Sequence, residues 1–338
     1  MSRLKYLGKR LLLSIPVVLF GTSITFVLLR MGPIDPAAAI LGGQQTQGGN
    51  YEQVRQQLGL HRPLWEQYID FMVDLFTLKL GQSWVIAQGT PVSELLAQYA
   101  PRTLWLGFWS VIVALVIGIP LGFYAGLNPN SWSDYFASFG GIVWRAMPNF
   151  WLAVIMVSLI SQSQKFGFDW QNWVVSTQVV TPPSLNNLTD PMEFLAALKM
   201  VLPAALVLGS ASMGNEMRIG RTAVLETKNA NYVEVAKAKG APGRLIVWKH
   251  VFRNALIPLI PIISGEAFLL IGGSVLVETV FAINGLGYLF FQAAVNGDLP
   301  LVGSLMFVFI VLLVSVNILQ DVLYTLVDPR VGYEGEGQ

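Results

Sequence analysis

Cysteine and histidine, two residue types common in nucleophilic, acid–base and metal sites, are scarce in this 338-residue chain. Cysteine is absent, which excludes disulfides, thiolate metal sites and cysteine nucleophiles. The only histidines, His61 and His250, lie too far apart in the sequence to suggest a zinc or iron site. No nucleophile–base pair or metal-ligand spacing is visible, so we expect neither a catalytic site nor a metal site.

Two glycine-containing segments approach nucleotide-binding motifs without completing them. A phosphate-binding loop needs G-x-x-x-x-G-K-[ST], in which the lysine contacts the phosphates and the hydroxyl binds magnesium. Residues 209–216, GSASMGNE, have the glycine spacing but carry Asn215 and Glu216 where the lysine and the hydroxyl belong. The segment LGGQQ, residues 41–45, lacks the serine of the ATPase signature. We expect this chain to bind no ATP, and the first segment predicts close helix packing through small residues.

The composition indicates an integral membrane protein. The chain is 54% hydrophobic and 12% charged, whereas an ordinary soluble domain is about 25% charged. Apolar runs long enough to cross a hydrocarbon core of about 30 Å predict six helices. The runs are 11–29, 103–126, 143–161, 195–214, 255–277 and 299–320. The first run exceeds the roughly 7–15 apolar residues of a signal peptide, which favours a retained helix.

The distribution of basic residues predicts the orientation. Arg3, Lys5, Lys9 and Arg10 precede the first span, and residues 218–253 carry eight Lys/Arg against two Glu. The loop 279–298 has no Lys or Arg. Because positive residues concentrate on the cytoplasmic side, both termini are expected in the cytoplasm.

The basic region contains a short helical unit, NYVEVAKAKGAPGRLIVWKHVFRNALIPLI, residues 231–260. Asn231 is predicted as the N-cap of a first helix, with Glu234 completing a capping box. Gly240 is predicted to end that helix, and a second runs from about Arg244 to Ala255. From composition alone the unit could lie on anionic lipid or dock into a groove of a soluble partner.

Several segments resemble the oligopeptide/dipeptide/nickel branch of ABC importer permeases. EVAKAKG resembles the EAA–Gly coupling motif of these permeases. In chain order, AMPNFWLAVI, WKHVFRNALIPLI, GGSVLVETVFAINGLGYL and LVDPRV resemble other segments of the family. Arg253 stands where the general motif has a proline, and Pro258 comes later, as is usual in this branch. The chain is identified as a member of this family over nearly its whole length.

The resemblance implies an all-α, type I ABC importer permease fold in the cell membrane. It also implies a homologous second permease, two ATP-binding subunits that hold ATP and Mg²⁺, and a substrate-binding protein. The implied docking residues are Glu234, Ala236, Ala238 and Gly240. The cargo is expected to be di- or oligopeptides, with oligosaccharides or nickel complexes as alternatives. Lipid is the other expected contact, and nucleic acid is not expected.

Four further residues are candidates for the pathway or its gate. Glu266 lies at the centre of the fifth predicted span, where a buried charge costs about 2.5–3.5 kcal/mol, so it should face a pathway, a partner or a hydrogen-bonding neighbour. Glu278 could line an outer gate or cap the turn that follows it. Pro148 and Asn149 begin the segment that resembles the third span.

The predicted organisation has a first span at 1–30, a helical outer segment at 31–102, a five-span core at 103–330 and a tail at 331–338. Periodicity predicts amphipathic helices over 51–60 and 64–78. Asn187 begins a glycosylation sequon on the predicted outer side. The rival hypothesis is a stand-alone secondary transporter driven through Glu266, although no internal repeat supports it.

Overall fold

The computed structural model describes residues 3–32, 35–41, 49–170, 172, 189–260 and 275–327. Over these residues the chain is helical, and its β-structure is limited to an isolated bridge between Gln82 and Pro91. The predicted all-α fold class is confirmed for this part of the chain. Glu266, Asn187 and the predicted tail 331–338 lie outside the described residues.

The helices are numbered here in chain order. They are α1 (Arg3–Met31), α2 (Pro36–Ile40), α3 (Gly49–Gln57), α4 (Leu64–Phe76), α5 (Val92–Val113), α6 (Ile119–Leu127), α7 (Trp132–Ala146), α8 (Asn149–Ser161), α9 (Pro191–Lys228), α10 (Asn231–Ala238), α11 (Gly243–Leu245, continued by the π-helical Ile246–Phe252 and by Arg253–Ala255), α12 (Val275–Val280), α13 (Leu286–Asn296) and α14 (Leu299–Val327). A π-helical segment, Ala114–Gly118, joins α5 to α6.

Five of the six predicted spans have a counterpart in the described residues. Four helical stretches are long and apolar enough to cross a membrane, namely Gly8–Met31, Val92–Leu127, Pro191–Lys228 and Leu299–Val322. The pair α7 and α8 forms a fifth candidate that is bent by 96°. The remaining predicted span, 255–277, falls largely outside the described residues, which omit 261–274.

The bend interrupts the third predicted span, 143–161. Pro148 disfavours helical backbone at the residue before it, and Met147 is extended at φ −80° and ψ 128°. The chain therefore turns between α7 and α8, and α7 begins at Trp132, well before the predicted span.

The chain divides into two compact units, and the first comprises residues 1–101 and 284–318. Its core contains buried side chains of α5, α13 and α14, among them Val92, Leu289, Leu301 and Leu305. The amphipathic helix α4 packs on α1 through aromatic contacts. Phe26 lies 5.4 Å from Tyr68 and 5.5 Å from Phe71 between ring centroids.

A buried carboxylate organises the loop between α4 and α5 in this unit. Asp298 is fully buried and accepts hydrogen bonds from the Ser83 hydroxyl and from the backbone amides of Val85 and Ile86, both at 3.0 Å. Its side chain also faces the Leu301 amide at 3.4 Å, in the first turn of α14. One residue therefore caps a helix and fixes a loop distant in sequence.

The second unit, residues 102–283 and 319–338, is built around α9. Gly118, Gly122 and Gly126 recur every four residues and lie on one side of the π segment and α6, against α9. A Cβ atom built on Gly122 would lie 2.5 Å from the Met217 carbonyl oxygen, so α6 and α9 approach backbone to backbone. This contact positions the end of α9 from which α10 continues.

Candidate functional site

The short helix α10 begins one residue earlier than the sequence suggested. Ala230 is the N-cap, with extended backbone at φ −74° and ψ 144°, and no side chain caps the helix. The Ala230 carbonyl accepts from the Val233 amide at 2.9 Å. The prediction of Asn231 as N-cap is therefore wrong, because the chain turns at Ala230 and Asn231 is already helical.

Gly240 ends α10 as the sequence predicted. Its φ is +76°, and its amide donates to the Lys237 carbonyl at 2.9 Å. The next amide, that of Ala241, donates to the Ala236 carbonyl at 3.1 Å. This pair of bonds is a Schellman motif, which fixes the exit direction of the chain towards α11.

One face of α10 is buried within the second unit. Val233 is fully buried and Ala236 is 9% exposed. Val233 belongs to a cluster contributed by α6, α9, α11 and the residues after α11: Phe123, Ala223, Val224, Val251, Ala255 and Leu259. A displacement of α10 must therefore move this cluster or break its packing.

The opposite face of α10 carries exposed side chains of mixed character. Glu234, Val235 and Ala238 are exposed, Val235 by 51%. The prediction grouped Ala236 with Ala238 at a partner surface, but Ala236 packs inwards on its own chain. The surface available to a partner therefore includes Tyr232, Glu234, Val235 and Ala238, and these four residues are called the outer face of α10 below.

The helix that follows contains a π-helical segment that the sequence did not indicate. Over Ile246–Phe252 the backbone is wider than an α-helix, which commonly marks a functional position. Phe252 lies 4.7 Å from Phe123 of α6 and 5.0 Å from Trp248 between ring centroids. Trp248 itself is 59% exposed.

Two polar contacts brace the end of α9 that leads into α10. Arg221 pairs with Asp134 of α7, with its Nη2 2.8 Å from Oδ2, and Asp134 is buried. Lys228, the last residue of α9, donates through Nζ to the Leu127 carbonyl at the end of α6, at 3.0 Å. From the sequence, Arg221 and Lys228 are only part of the basic charge of residues 218–253, because their partners are distant in sequence.

Comparison with known proteins assigns this arrangement to a family. Residues 118–333 match the family of binding-protein-dependent transport system inner membrane components, and residues 3–99 match the N-terminal part of such membrane components. The chain belongs to this permease family. It is thus a multi-pass permease subunit of an ABC importer rather than a stand-alone transporter. It works with separate ATP-hydrolysing and substrate-binding components and is not itself an enzyme.

Full-length relatives of the permease support the assignment. The oligopeptide transport system permease protein AppB of Bacillus subtilis is 34% identical over 97% of this chain and 99% of its own length. The dipeptide transport system permease protein DppB of Alkalihalophilus pseudofirmus is 32% identical over 98% and 100%. The probable D,D-dipeptide permease DdpB of Escherichia coli is 35% identical over 92% and 93%.

Solved structures confirm the type of fold. Two crystal forms of the MetNI methionine ABC transporter, in inward-facing conformations, match with TM-scores of 0.51 and 0.53 at 21% and 20% identity. Each match covers 70% of the permease and 98% of the compared chain. The likeness identifies a type I importer permease fold.

The pathway candidates of the permease occupy different environments. Glu278 in α12 is fully buried and accepts a hydrogen bond from the Thr103 hydroxyl of α5 at 2.8 Å. Pro148 is exposed at the bend before α8, and Asn149, the first residue of α8, is partly buried. Glu266 lies outside the described residues. The structure therefore does not bring the four candidates together into one described site.

Proposed function

We propose that this permease forms half of the pathway of a peptide importer and receives the ATP-driven movement through α10. The observation that carries the proposal is the division of α10 into a buried face and an outer face. Val233 is fully buried among membrane helices while Glu234 and Val235 are exposed. A rigid element with both properties can convert the movement of a bound partner into movement of the helices.

Each end of α10 supports this transmission. Gly240 holds the turn into α11 by backbone hydrogen bonds rather than by side chains. At the other end, two residues of α9 hold it in place: Arg221 pairs with Asp134 of α7, and Lys228 donates to the Leu127 carbonyl of α6. A push on the outer face would therefore reach α6, α7, α9 and α11 together, because interfaces packed this closely shift as units.

The proposed assembly contains this permease, a similar second permease, two ATP-binding subunits and a substrate-binding protein. ATP and Mg²⁺ would be held by the ATP-binding subunits. The outer face of α10 would then lie in the cytoplasm with both termini, in agreement with the positive charge of residues 218–253. The helix is small at Ala238, which suits insertion into a cleft.

The proposed cargo is di- or oligopeptides. The support is that two relatives, an oligopeptide and a dipeptide transport system permease protein, align with this chain over nearly the whole of both chains. Uptake of labelled dipeptide and oligopeptide into cells that lack only this permease tests the assignment. Loss of uptake that returns with the restored gene supports peptide as the cargo, and unchanged uptake of both contradicts it.

Cross-linking tests the docking proposal, because the chain has no cysteine of its own. A cysteine introduced as Val235→Cys or Ala238→Cys carries a photoactivated maleimide within the assembled complex. We expect both to cross-link to the ATP-binding subunit. Asn128→Cys, an exposed position at the end of α6, is the control and should give little product. Equal products at all three positions, or none at Val235 and Ala238, would contradict docking through the outer face.

A further inference from the structure

A cavity whose lining mixes apolar and charged residues lies within the first unit, at one end of its membrane helices. Its volume is about 320 Å³, near the lower limit of about 300 Å³ for small-molecule pockets. The lining comes from α1, the loop before α4, α4 itself, the loop after it and the start of α14, and includes Arg30, Gln67, Asp70, Asp74, Lys79 and Trp84. The peptide-import proposal assigns no role to this cavity.

The cavity contains a buried cationic donor with an unmet hydrogen-bonding requirement. Nη1 of Arg30 is buried and has no hydrogen-bond partner among the described residues. The guanidinium carbon lies 5.9 Å from the centroid of the Phe26 ring, which stabilises the charge without accepting an N–H bond. A buried guanidinium N–H of this kind calls for an anionic or strongly polar acceptor.

The side-chain oxygen of Gln67, which lines the same cavity, is a buried acceptor that requires a hydrogen-bond donor. Gln67 is 8% exposed, and its Nε2 donates to the Arg62 carbonyl at 2.7 Å and faces the Leu60 carbonyl at 3.4 Å. Two carbonyl acceptors fix the orientation of the amide, because a flipped amide would place its oxygen against them. Oε1 of Gln67 is left without a donor among the residues that the structure describes.

The charges around the cavity have both signs. Arg30, Arg62 and Lys79 supply positive charge, while Asp70 and Asp74 supply negative charge. Asp70 already accepts a hydrogen bond from Arg62, which limits but does not fill its acceptor capacity. A ligand with an anionic oxygen at one end and an N–H-bearing cation at the other matches this lining.

The position of the cavity identifies the source of such a ligand. Arg30 is the penultimate residue of the candidate span Gly8–Met31, and Leu299 begins the candidate span Leu299–Val322. A Cβ atom built on Gly303 would touch Leu29, so these two ends lie at the same level. That level is where phospholipid headgroups lie.

The helices that line the cavity also offer apolar surface to acyl chains. Leu28 and Met31 of α1 are 64% and 76% exposed, and Trp65 and Ile69 of α4 are 63% and 49% exposed. Tryptophan at this level is typical of residues that sit at a membrane interface. A free peptide could supply the two charges, but it would leave this adjoining apolar surface unused.

We propose that the cavity binds the headgroup of a phospholipid that carries a phosphate and a primary ammonium, as phosphatidylethanolamine does. The phosphate accepts from Arg30 Nη1. The ammonium donates to Gln67 Oε1 and lies near the carboxylates of Asp70 and Asp74. This lipid site is independent of docking at α10.

Headgroup selectivity of the wild-type permease tests the proposal without any mutation. The permease is purified with its accompanying subunits, depleted of lipid, and titrated with phosphatidylethanolamine, phosphatidylcholine and phosphatidylglycerol while bound lipid is counted by native mass spectrometry. Phosphatidylcholine keeps the phosphate but its quaternary ammonium has no N–H. We expect it to bind about tenfold more weakly, since Gln67 Oε1 stays unsatisfied. Phosphatidylglycerol should also bind more weakly.

Two variants test the phosphate contact and the ammonium contact separately. Arg30→Met should weaken binding of phosphatidylethanolamine by about tenfold or more through loss of a charge-assisted bond. Gln67→Met should retain phosphate binding but bind phosphatidylethanolamine and phosphatidylcholine alike. Arg55→Met, which removes an exposed arginine of α3, is the control and should bind as the wild type does.

Several outcomes would overturn the proposal. Equal binding of the three lipids by the wild type would show that the cavity does not distinguish between headgroups. Unchanged binding in Arg30→Met would remove the phosphate contact. A wild-type complex that binds no lipid at this cavity, or that retains a peptide there instead, would also reject a phospholipid site.

Discussion

Gly240 shows how one residue without side-chain contacts can matter to the permease. Its φ of +76° favours glycine, yet a Cβ atom built there would meet no atom within 4 Å. Gly243, three residues later, also has open space around its Cβ position but has no positive φ. A side chain at Gly240 would therefore add backbone strain without a steric clash, and a side chain at Gly243 would add neither.

Replacement of each glycine by alanine measures this difference. We expect Gly240→Ala to destabilise the turn by about 1–2 kcal/mol, because an alanine in the left-handed region is strained. Gly243→Ala should be neutral or slightly stabilising. Thermal unfolding of the purified complex and ATP-driven uptake are the measurements. Equal behaviour of the two variants would show that the Schellman turn does not control coupling.

Glu278 is the second residue whose environment the structure clarifies. The buried hydrogen bond from Thr103 indicates that the carboxylate holds α12 to α5. We expect Glu278→Gln to assemble and transport normally, because the amide oxygen still accepts that bond. Glu278→Leu should cost about 1–3 kcal/mol of stability by leaving the buried hydroxyl without this acceptor. Loss of uptake in Glu278→Gln with normal assembly would instead support a role in the gate.

At the scale of the element, glycine spacing and helix length decide how α9 packs. The sequence predicted a fourth span over 195–214, where the apolar run ends. The helix continues to Lys228. It does so because Arg221 meets Asp134 and because Gly122 and Gly126 admit its backbone.

The close packing of Gly122 against α9 gives a prediction with a matched control. Gly122→Ala places a Cβ atom 2.5 Å from the Met217 carbonyl oxygen, whereas Gly140→Ala on α7 meets nothing within 4 Å. We expect the first variant to destabilise the permease by about 1–3 kcal/mol through overpacking. The second should be neutral or slightly stabilising. Thermal unfolding in detergent compares them, and equal melting temperatures would argue against the close approach of α6 and α9.

What the sequence predicts depends on whether the cause is local. Gly240 and the nearby Pro242 favour the end of a helix through their own backbone preferences, and the end of α10 at Gly240 was predicted correctly. The N-cap was misplaced by one residue, since Asn231 is an acceptable cap that the backbone does not use. The Asp134–Arg221 pair and the burial of Ala236 depend on residues far away in the chain. No single-sequence pattern could indicate them.

At the scale of the whole molecule, periodicity and composition predicted an all-helical membrane protein, and family membership confirms an importer permease. Length and hydropathy located five of the predicted spans but not the 96° bend between α7 and α8. They also could not show that the outer face of α10 is exposed while Val233 is fully buried. That division is the basis of the proposed coupling.

Co-purification of the ATP-binding subunit tests this central claim most directly. Glu234→Arg combined with Ala238→Trp alters only the outer face, while Glu226→Arg makes the same charge reversal at an exposed position of α9. We predict that the double variant loses the ATP-binding subunit at least about tenfold, as expected for a docking hot spot. It should retain the second permease, and Glu226→Arg should retain both. If the double variant held as much ATP-binding subunit as the wild type, α10 would not be the docking element.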